Sequence, residues 1–376
     1  MRIIIAPDKF KDCLSAPEVA AAIADGIRRV DPAVEIDCIP LADGGEGTVA
    51  ALVGATKGRL IRKTVTGPLP EMKVDATFGL LDAGQTAVIE MAAASGSALL
   101  QPADRNPMAT TTFGTGELIR AAIESGANHI IVGLGGSATV DGGIGCAQAC
   151  GHTIILEEGE PVSMTEPLTG ADLSRIVMIK RHRGEATDRA KITIASDVTN
   201  PLCGPNGAAR IFGPQKGATP AQALELDGAL NQLAKRCNAQ DIAQRPGAGA
   251  AGGLGFGLMA FFGAELHSGI ELVMNAVRLR ERLRGADLCI TGEGRIDDQT
   301  AQGKTVAGVA RLCRELHIPC IALAGAIGEG ADACLDMGVT SYFGISDGPR
   351  SLEDAIRDAR PLLSSLVSRI VRLIDR

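Results

Sequence analysis

Short apolar runs that alternate with helical patterns constrain this chain more than any other feature. The first run, RIIIAP at residues 2–7, precedes a helix predicted to begin at Ser15. Ser15 and Glu18 have the spacing of a capping box, and apolar residues then repeat at helical intervals. This alternation predicts an α/β fold built around a largely parallel sheet.

Later runs of the same kind predict the rest of the sheet and suggest a division into domains. They are EIDCIPLA (35–42), HIIVGL (129–134), KITIAS (191–196), DLCITG (287–292), PCIALAG (319–325) and TSYFGIS (340–346). Helices are predicted over about 303–316 and from Leu352 onward. The runs near the two ends of the chain predict one doubly wound domain formed by residues 1–60 and 285–376.

The middle of the chain, residues 61–284, is predicted to be an inserted mixed α/β domain. Between residues 60 and 90, the segments KTVTGPL, VDATFGLL and TAVIEMAA are spaced like antiparallel strands joined by turns. HTIILEE (152–158) and RIVMIK (175–180) are candidates for the same antiparallel group.

Composition narrows the class of protein. A net charge of −7, one Tyr and no Trp argue against nucleic-acid binding, which favours a basic face and stacking rings. The ten cysteines contain no CxxC pair and are predicted to be reduced thiols. The amino terminus does not resemble a signal peptide, and the uncharged stretch 246–264 is too rich in glycine for a membrane span. We therefore expect a cytoplasmic protein.

Acidic residues and glycine turns follow five of the predicted strands. Ligands of open α/β sheets bind at the carboxyl ends of strands, so these groups are expected to converge. Any one of them alone is explained better as a helix cap or an Asx turn. The strand-end residues are Asp8, Lys9, Lys11, Asp43, Gly44, Gly45, Gly135, Gly136, Ser137, Thr139, Asp141, Asp197, Gly292 and Glu293.

The chemistry that these residues suggest is magnesium-dependent phosphoryl transfer. Converging carboxylates repel one another unless a cation neutralises them, and Mg²⁺ prefers oxygen ligands together with phosphates. Lys216 and Lys304 add positive charge, and glycine turns offer backbone N–H groups to phosphate. The GKT triplet at 303–305 lacks the first glycine of a P-loop, and GAGAAGGLGFG (247–257) suits either tight helix packing or a nucleotide loop.

Two other classes of function remain open at this point. Gly133, Gly135 and Ala138 match the G-x-G-x-x-A variant of a dinucleotide fingerprint, and Glu157 or Glu158 lies where a ribose-binding acid belongs. That match favours an NAD(P)-dependent 2-hydroxy-acid dehydrogenase, although Asp141 would place negative charge beside the pyrophosphate. A non-catalytic protein that binds a small acid is the third class.

Six motifs, taken in order, resemble the bacterial class I glycerate kinase family. They are APDKFKDCLSA at the start of the chain, PLADGGEGT (40–48), GLGGSATVDGG (133–143), SDVTNPLCGPNGAARIFGPQKGA (196–218), GAAGGLGFGL (249–258) and TGEGRIDDQTAQGK (291–304). The resemblance implies ATP- and Mg²⁺-dependent phosphorylation of D-glycerate in a cleft between two domains, one of which has a Rossmann-like or flavodoxin-like fold. It favours 2-phosphoglycerate as the product, with phosphorylation of the 3-hydroxyl as the alternative.

Strand-end placement and the resemblance together suggest roles for individual residues. Asp197 or Asp43 is predicted to act as general base or magnesium ligand, and Lys9 and Lys11 to neutralise phosphate or bind the glycerate carboxylate. Asp141, Asp197 and Glu293 are the predicted metal ligands. The predicted ATP-binding residues are Asp8, Gly44, Gly45, Gly135, Gly136, Ser137, Thr139, Lys216, Gly292, Glu293 and Lys304. The oligomeric state is not indicated.

Overall fold

The computed structural model describes residues 1–11, 13–56, 58–157, 159–181, 190–298, 300 and 305–374. Its strands are β1 (Arg2–Ile5), β2 (Glu35–Cys38), β3 (Arg59–Thr66), β4 (Lys73–Leu81), β5 (Thr86–Glu90), β6 (His129–Gly133), β7 (Thr153–Leu156), β8 (Ile176–Lys180), β9 (Lys191–Ala195), β10 (Glu265–His267), β11 (Leu288–Ile296), β12 (Cys320–Ile327) and β13 (Ser341–Gly344).

Its α-helices are α1 (Ala16–Arg28), α2 (Thr48–Thr56), α3 (Ala92–Ser95), α4 (Phe113–Glu124), α5 (Ile144–Ala149), α6 (Ala208–Phe212), α7 (Pro220–Arg236), α8 (Gln240–Ala243), α9 (Ala250–Phe262), α10 (Gly269–Ala276), α11 (Leu279–Leu283), α12 (Thr305–Glu315), α13 (Ala333–Asp336), α14 (Leu352–Arg357) and α15 (Ala359–Ile374).

The chain forms two compact units, a terminal unit and a central unit. The terminal unit contains residues 1–43 and 270–376, and the central unit contains residues 44–269. The predicted α/β class is confirmed, since each unit is built around a sheet with helices. The predicted domain boundaries at residues 60 and 285 stay a prediction.

The terminal unit has a fully parallel sheet in the order β13-β12-β11-β1-β2. One face of this sheet, which includes Ile3, Ile5 and Ile290, packs against α1 and α15. Helix α12, which links β11 to β12, contacts both of those strands. Strand β1 lies beside β11 even though the two come from opposite ends of the chain. The direction of winding reverses between β1 and β11, and such a reversal is where open α/β sheets bind ligands.

Helix α1 begins as its sequence predicts. The Ser15 backbone N–H donates to the Glu18 carboxylate at 2.8 Å, which completes a capping box. Val19, Ile23 and Ile27 then line one face of the helix and are fully buried. The capping box and the amphipathic pattern therefore both indicate the helix that forms. This helix connects β1 to β2.

The central unit has a mixed sheet in the order β10-β9-β6-β5-β4-β3. Strands β10, β9, β6 and β5 are parallel, whereas β3, β4 and β5 form the antiparallel arrangement predicted between residues 60 and 90. The assignment of HTIILEE and RIVMIK to that group is wrong. Those segments supply β7 and β8, which pair with each other in a separate two-stranded sheet over their own apolar core.

The glycine-rich segment 247–257 is a packing segment that leads into α9. Ala251, Gly252 and Gly253 all have positive φ, so the first turn of α9 is left-handed before the regular helix begins. The Gly142 backbone N–H donates to the Gly252 carbonyl at 3.1 Å, which joins this segment to the loop after β6. No helix within the described part of the chain is both long enough and apolar enough to span a membrane.

Candidate active site

The loop after β1 lies at the point where the terminal unit's sheet reverses direction. The Asp8 backbone N–H donates to the Gly292 carbonyl of β11 at 2.8 Å, and Thr291 donates through its hydroxyl to the Ala6 carbonyl at 2.8 Å. These bonds hold Asp8 against the adjacent strand. The predicted site residues Asp8 and Gly292 therefore meet just past the carboxyl end of β1, beside the middle of β11.

Asp8 is a buried strand-end acid whose pKa is raised. Its carboxylate is 7% exposed and accepts hydrogen bonds from the Thr305 hydroxyl and from the Lys9 backbone N–H, the latter at 2.7 Å. Burial, followed by the charge of Asp43, raises the pKa of Asp8 to about 6. Because Asp43 follows β2 and acts on Asp8, two predicted site carboxylates belong to one electrostatic cluster.

Three other predicted site residues, Lys9, Lys11 and Glu293, also belong to the terminal unit. Lys9 is half-buried and Lys11 is exposed. Glu293 is buried within β11 and accepts a hydrogen bond from the Thr300 hydroxyl at 2.5 Å. Strand β11 thus extends past the predicted strand end at Gly292 and carries Glu293 inside it. Lys304 lies outside the described residues, as does Glu158.

Two glycine loops of the central unit pack directly against each other. A Cβ atom on Gly133 would overlap the Gly44 carbonyl oxygen, and a Cβ atom on Gly135 would lie 2.7 Å from the Gly45 Cα. Both contacts are backbone against backbone, so only glycine fits. Gly44, Gly45 and Gly135 are therefore brought together, and Gly136 follows them with φ of +74°. The glycines that resemble a dinucleotide fingerprint are explained by the packing of the chain's own loops.

Asp197 follows β9, the strand beside β6 in the central unit. Its Oδ1 accepts a hydrogen bond from the Gly269 backbone N–H at 3.2 Å, and the side chain is half-buried. Gly44 packs against the same segments, because a Cβ atom on Gly44 would be 2.9 Å from the Ala195 carbonyl oxygen and 3.1 Å from the Gly269 Cα. Asp197 and the Gly44–Gly45 loop consequently share the carboxyl ends of β6, β9 and β10.

Lys216 is a buried lysine that holds the loop after β6 through two hydrogen bonds. Its Nζ donates to the Ser137 hydroxyl and to the Thr139 carbonyl, both at 2.7 Å. The side chain is 3% exposed, and burial lowers the pKa of Lys216 to about 7. The structure thus brings three predicted cofactor-binding residues together, and Lys216 holds the other two in place.

Asp141 is completely buried in the same loop. Its carboxylate accepts hydrogen bonds from the Thr112 backbone N–H (2.8 Å), the Thr112 hydroxyl (2.7 Å), the Gly143 N–H (3.0 Å) and the Gly145 N–H (3.3 Å). Burial raises the pKa of Asp141, and these hydrogen bonds oppose the shift. The contacts give Asp141 a loop-fixing role within the central unit, while its assignment as a metal ligand stays a prediction.

Sequence reasoning missed three polar residues that hold these loops. Glu90 ends β5 and accepts from the Gly47 and Val49 backbone N–H groups at 3.0 and 2.8 Å, which secures the 44–49 segment. Thr112 precedes α4 and bonds to Asp141, and Thr305 begins α12 and bonds to Asp8. Glu90 follows the apolar letters AVI in the same way as the other strand-end acids, so the strand-end argument would have found it. The two threonines carry no such signal.

Comparison with known proteins identifies the family. The model of the glycerate kinase family matches residues 3–375. The chain is 44% identical to a glycerate kinase of Haemophilus influenzae, over 100% of this chain and 99% of that protein. It is 46% identical to the glycerate 2-kinase of Escherichia coli K12, over 96% of this chain and 94% of the relative.

A solved structure agrees with these sequence relatives. A protein of Salmonella typhimurium LT2, provisionally described as glycerate kinase 2, is 43% identical and superimposes with a TM-score of 0.85. The match covers 100% of this chain and 98% of that structure. Sequence, family model and fold agree along essentially the whole length, so the chain belongs to the glycerate kinase family.

Proposed function

We propose that this protein transfers the γ-phosphoryl group of ATP to the 2-hydroxyl of D-glycerate, which gives 2-phospho-D-glycerate and ADP. The observation that carries this proposal is the 46% identity, over nearly the whole chain, to a relative named glycerate 2-kinase. The loops described above support a phosphoryl-transfer enzyme, because carboxylates, a buried lysine and glycine turns lie at the carboxyl ends of parallel strands. We also propose a cytoplasmic location, which suits ten free thiols.

The terminal unit's carboxylates fit a divalent cation. Asp8 resists ionisation because it is buried and because Asp43 is negative, and a cation bound there would relieve both effects. Oxygen ligands of this kind suit Mg²⁺, which would neutralise phosphate charge when bound. We propose that Asp8 and Asp43 attract the metal–nucleotide complex and that Glu293 is a metal ligand in the terminal unit.

For proton removal from the substrate hydroxyl, we propose Asp197. The Gly269 N–H anchors Oδ1, and this fixes the orientation of the carboxylate toward the carboxyl ends of the strands. Lys9 and Lys11 are proposed to neutralise developing negative charge or to bind the glycerate carboxylate. Gly44, Gly45 and the loop that Lys216 holds are proposed to present backbone N–H groups to phosphate.

The geometry does not favour the dehydrogenase. Its motif required Gly133 and Gly135 to leave space for a pyrophosphate, but the space beside both glycines is filled by Gly44 and Gly45. Packing against Gly44 and Gly45 thus explains the glycines at these positions, and they no longer indicate a dinucleotide-binding site.

A coupled ADP-release assay tests the proposed activity. ATP, Mg²⁺ and a panel of D-glycerate, L-glycerate, glycolate and lactate are supplied to the purified chain, and phosphorus NMR identifies the product. We expect ADP release only with D-glycerate and magnesium, and a 2-phosphoglycerate signal. ADP release without phosphorylated glycerate would contradict the proposal, and 3-phosphoglycerate alone would overturn the proposed position.

The same assay tests Asp197 as general base. Asp197→Asn should lower kcat/KM by on the order of 10²-fold or more, because the carboxylate can no longer accept the hydroxyl proton. Asp241→Asn is the control, since Asp241 is an exposed residue on α8 that pairs only with Arg245 among its described contacts. If Asp197→Asn stays within about threefold of the control, Asp197 is not the base.

A further inference from the structure

Three buried thiols converge within the terminal unit, away from the strand-end carboxylates. Cys289 on β11 and Cys320 on β12 are direct partners in the parallel register, so their side chains leave the sheet on the same face. Cys313 lies near the end of α12, the helix that crosses from β11 to β12 and packs on both. All three side chains are fully buried.

The distances within this thiol cluster are close to those of a metal site. The three sulfur atoms all lie within 4.8 Å of one another. Three sulfurs that each lie about 2.3 Å from one ion are about 4 Å apart or less. Side-chain movements of up to about 1 Å would therefore let all three sulfurs reach a common ion.

No other trio of histidine, cysteine or acidic side chains converges in this way among the residues that the structure describes. The donor atoms also differ from those at the strand ends. Thiolate sulfur selects soft ions such as Zn²⁺ and Cu⁺, whereas Mg²⁺ requires oxygen. The thiol cluster is thus chemically separate from the proposed nucleotide site, and its occupant does not depend on the proposed kinase activity.

We propose that Cys289, Cys313 and Cys320 bind one soft, thiophilic metal ion of the Zn²⁺ or Cu⁺ class. Each thiol that binds the ion loses its proton to solvent as the metal–sulfur bond forms. The bound ion joins α12 to β11 and β12, which are already paired with each other in the sheet. Because Thr305 at the start of α12 contacts Asp8, the ion also braces the helix that supports the Asp8 carboxylate.

The test measures metal bound to the full chain. Reduced, chelator-treated protein is incubated with Zn²⁺ or with Cu⁺, both in the folded state and during refolding, because the thiols are buried. After gel filtration, elemental analysis gives the stoichiometry and X-ray absorption gives the ligands. We expect one ion per chain with a sulfur shell at about 2.3 Å for zinc, and a higher midpoint of thermal unfolding than in the metal-free protein.

Matched variants identify the ligands. Cys313→Ala removes one sulfur from α12 and should abolish stoichiometric binding, whereas Cys146→Ala removes an equally buried helical cysteine of the central unit and should retain it. Cys320→Ala serves as a second ligand variant in case Cys313→Ala fails to fold, and circular dichroism reports folding in each case. Failure to retain either ion under both loading conditions would overturn the proposal. Equal retention by a folded Cys313→Ala or Cys320→Ala protein, or a shell of oxygen and nitrogen, would do so as well.

Discussion

Asp8 should make the free energy of unfolding depend on pH, because its pKa differs between the folded and unfolded states. Its folded pKa of about 6 lies above the ordinary value of 3.8, so the folded state holds the proton more tightly than the unfolded state. The stabilisation from this proton is complete below about pH 4 and is lost as the pH rises through about 6. A shift of about two pKa units corresponds to on the order of 3 kcal/mol.

Asp8→Asn therefore gives the first prediction at the residue scale. The variant cannot ionise, so its free energy of unfolding should rise relative to that of the wild type by on the order of 2–3 kcal/mol between about pH 4 and pH 7. Urea unfolding without magnesium or nucleotide measures this difference. Asp43→Asn is the companion variant: it removes the neighbouring negative charge, so the pH-dependent loss should become smaller. A difference between wild type and Asp8→Asn that does not change with pH would contradict the assigned pKa.

Residue type alone could not separate the strand-end acids from one another. Asp8, Asp141 and Asp197 follow predicted strands in the same way, and that placement was predicted correctly from the sequence. Their environments differ because of distant partners. Four donors surround Asp141, a second carboxylate acts on Asp8, and one N–H anchors Asp197. Those partners come from segments up to 297 residues away, as Thr305 does for Asp8, and no local pattern encodes such contacts.

At the scale of elements, the start of α9 leaves no room for a side chain at Gly252. Gly252 has φ of +67°, and a Cβ atom there would overlap the Thr139 carbonyl oxygen in the loop after β6. Gly252→Ala should lower the free energy of unfolding by about 2 kcal/mol or more, because the substitution adds backbone strain and separates the two loops. Chemical denaturation measures the loss, and kcat/KM should fall as well because Lys216 bonds to the same Thr139 carbonyl group.

Gly228→Ala is the matched control. Gly228 lies on the exposed side of α7, and no atom would lie within 4 Å of an added Cβ. Alanine should stabilise the protein there by about 0.4–1 kcal/mol because it restricts the unfolded chain and favours the helix. Equal effects of the two substitutions would show that the left-handed turn of α9 is not required.

Helices and strands with a regular apolar pattern could be predicted from the sequence. The partner with which a strand pairs was harder to predict. All five strands of the terminal sheet were predicted, although β11 extends past its predicted end, and the capped start of α1 matches its prediction. The segment from Leu352 was predicted as one helix, but it forms α14 and α15, which meet at Asp358. Strands β7 and β8 were placed in the wrong sheet because apolar alternation indicates a strand without naming its partner.

At the scale of the whole molecule, the central unit has the properties of an inserted domain. All six strands of its large sheet, and its apolar cores, come from residues 44–269. Its two ends are adjacent, since a Cβ atom on Gly44 would lie 3.1 Å from the Gly269 Cα. Adjacent ends and a self-contained core are what allow a domain to be inserted into another without disturbing it.

We therefore predict that the isolated fragment 44–269 folds. It should unfold cooperatively on heating and show protected backbone amides, but it should lack kinase turnover because Asp8, Asp43 and Glu293 are missing. The fragment 61–284, cut at the boundaries predicted from the sequence, is the comparison. It loses α2, whose Leu52 is fully buried and whose Val49 donates its backbone N–H to Glu90. It also loses the first two residues of β3.

The expected order of stability follows from these losses. Removing a buried leucine of α2 alone withdraws about 2–5 kcal/mol of packing, a large share of the stability of an ordinary domain. Fragment 61–284 should thus melt at a lower temperature than fragment 44–269 or fail to unfold cooperatively. If 61–284 is instead the more stable fragment, the segment 44–60 belongs with the terminal part of the chain, and the contact between Gly47 and Glu90 joins two folding units instead of completing one.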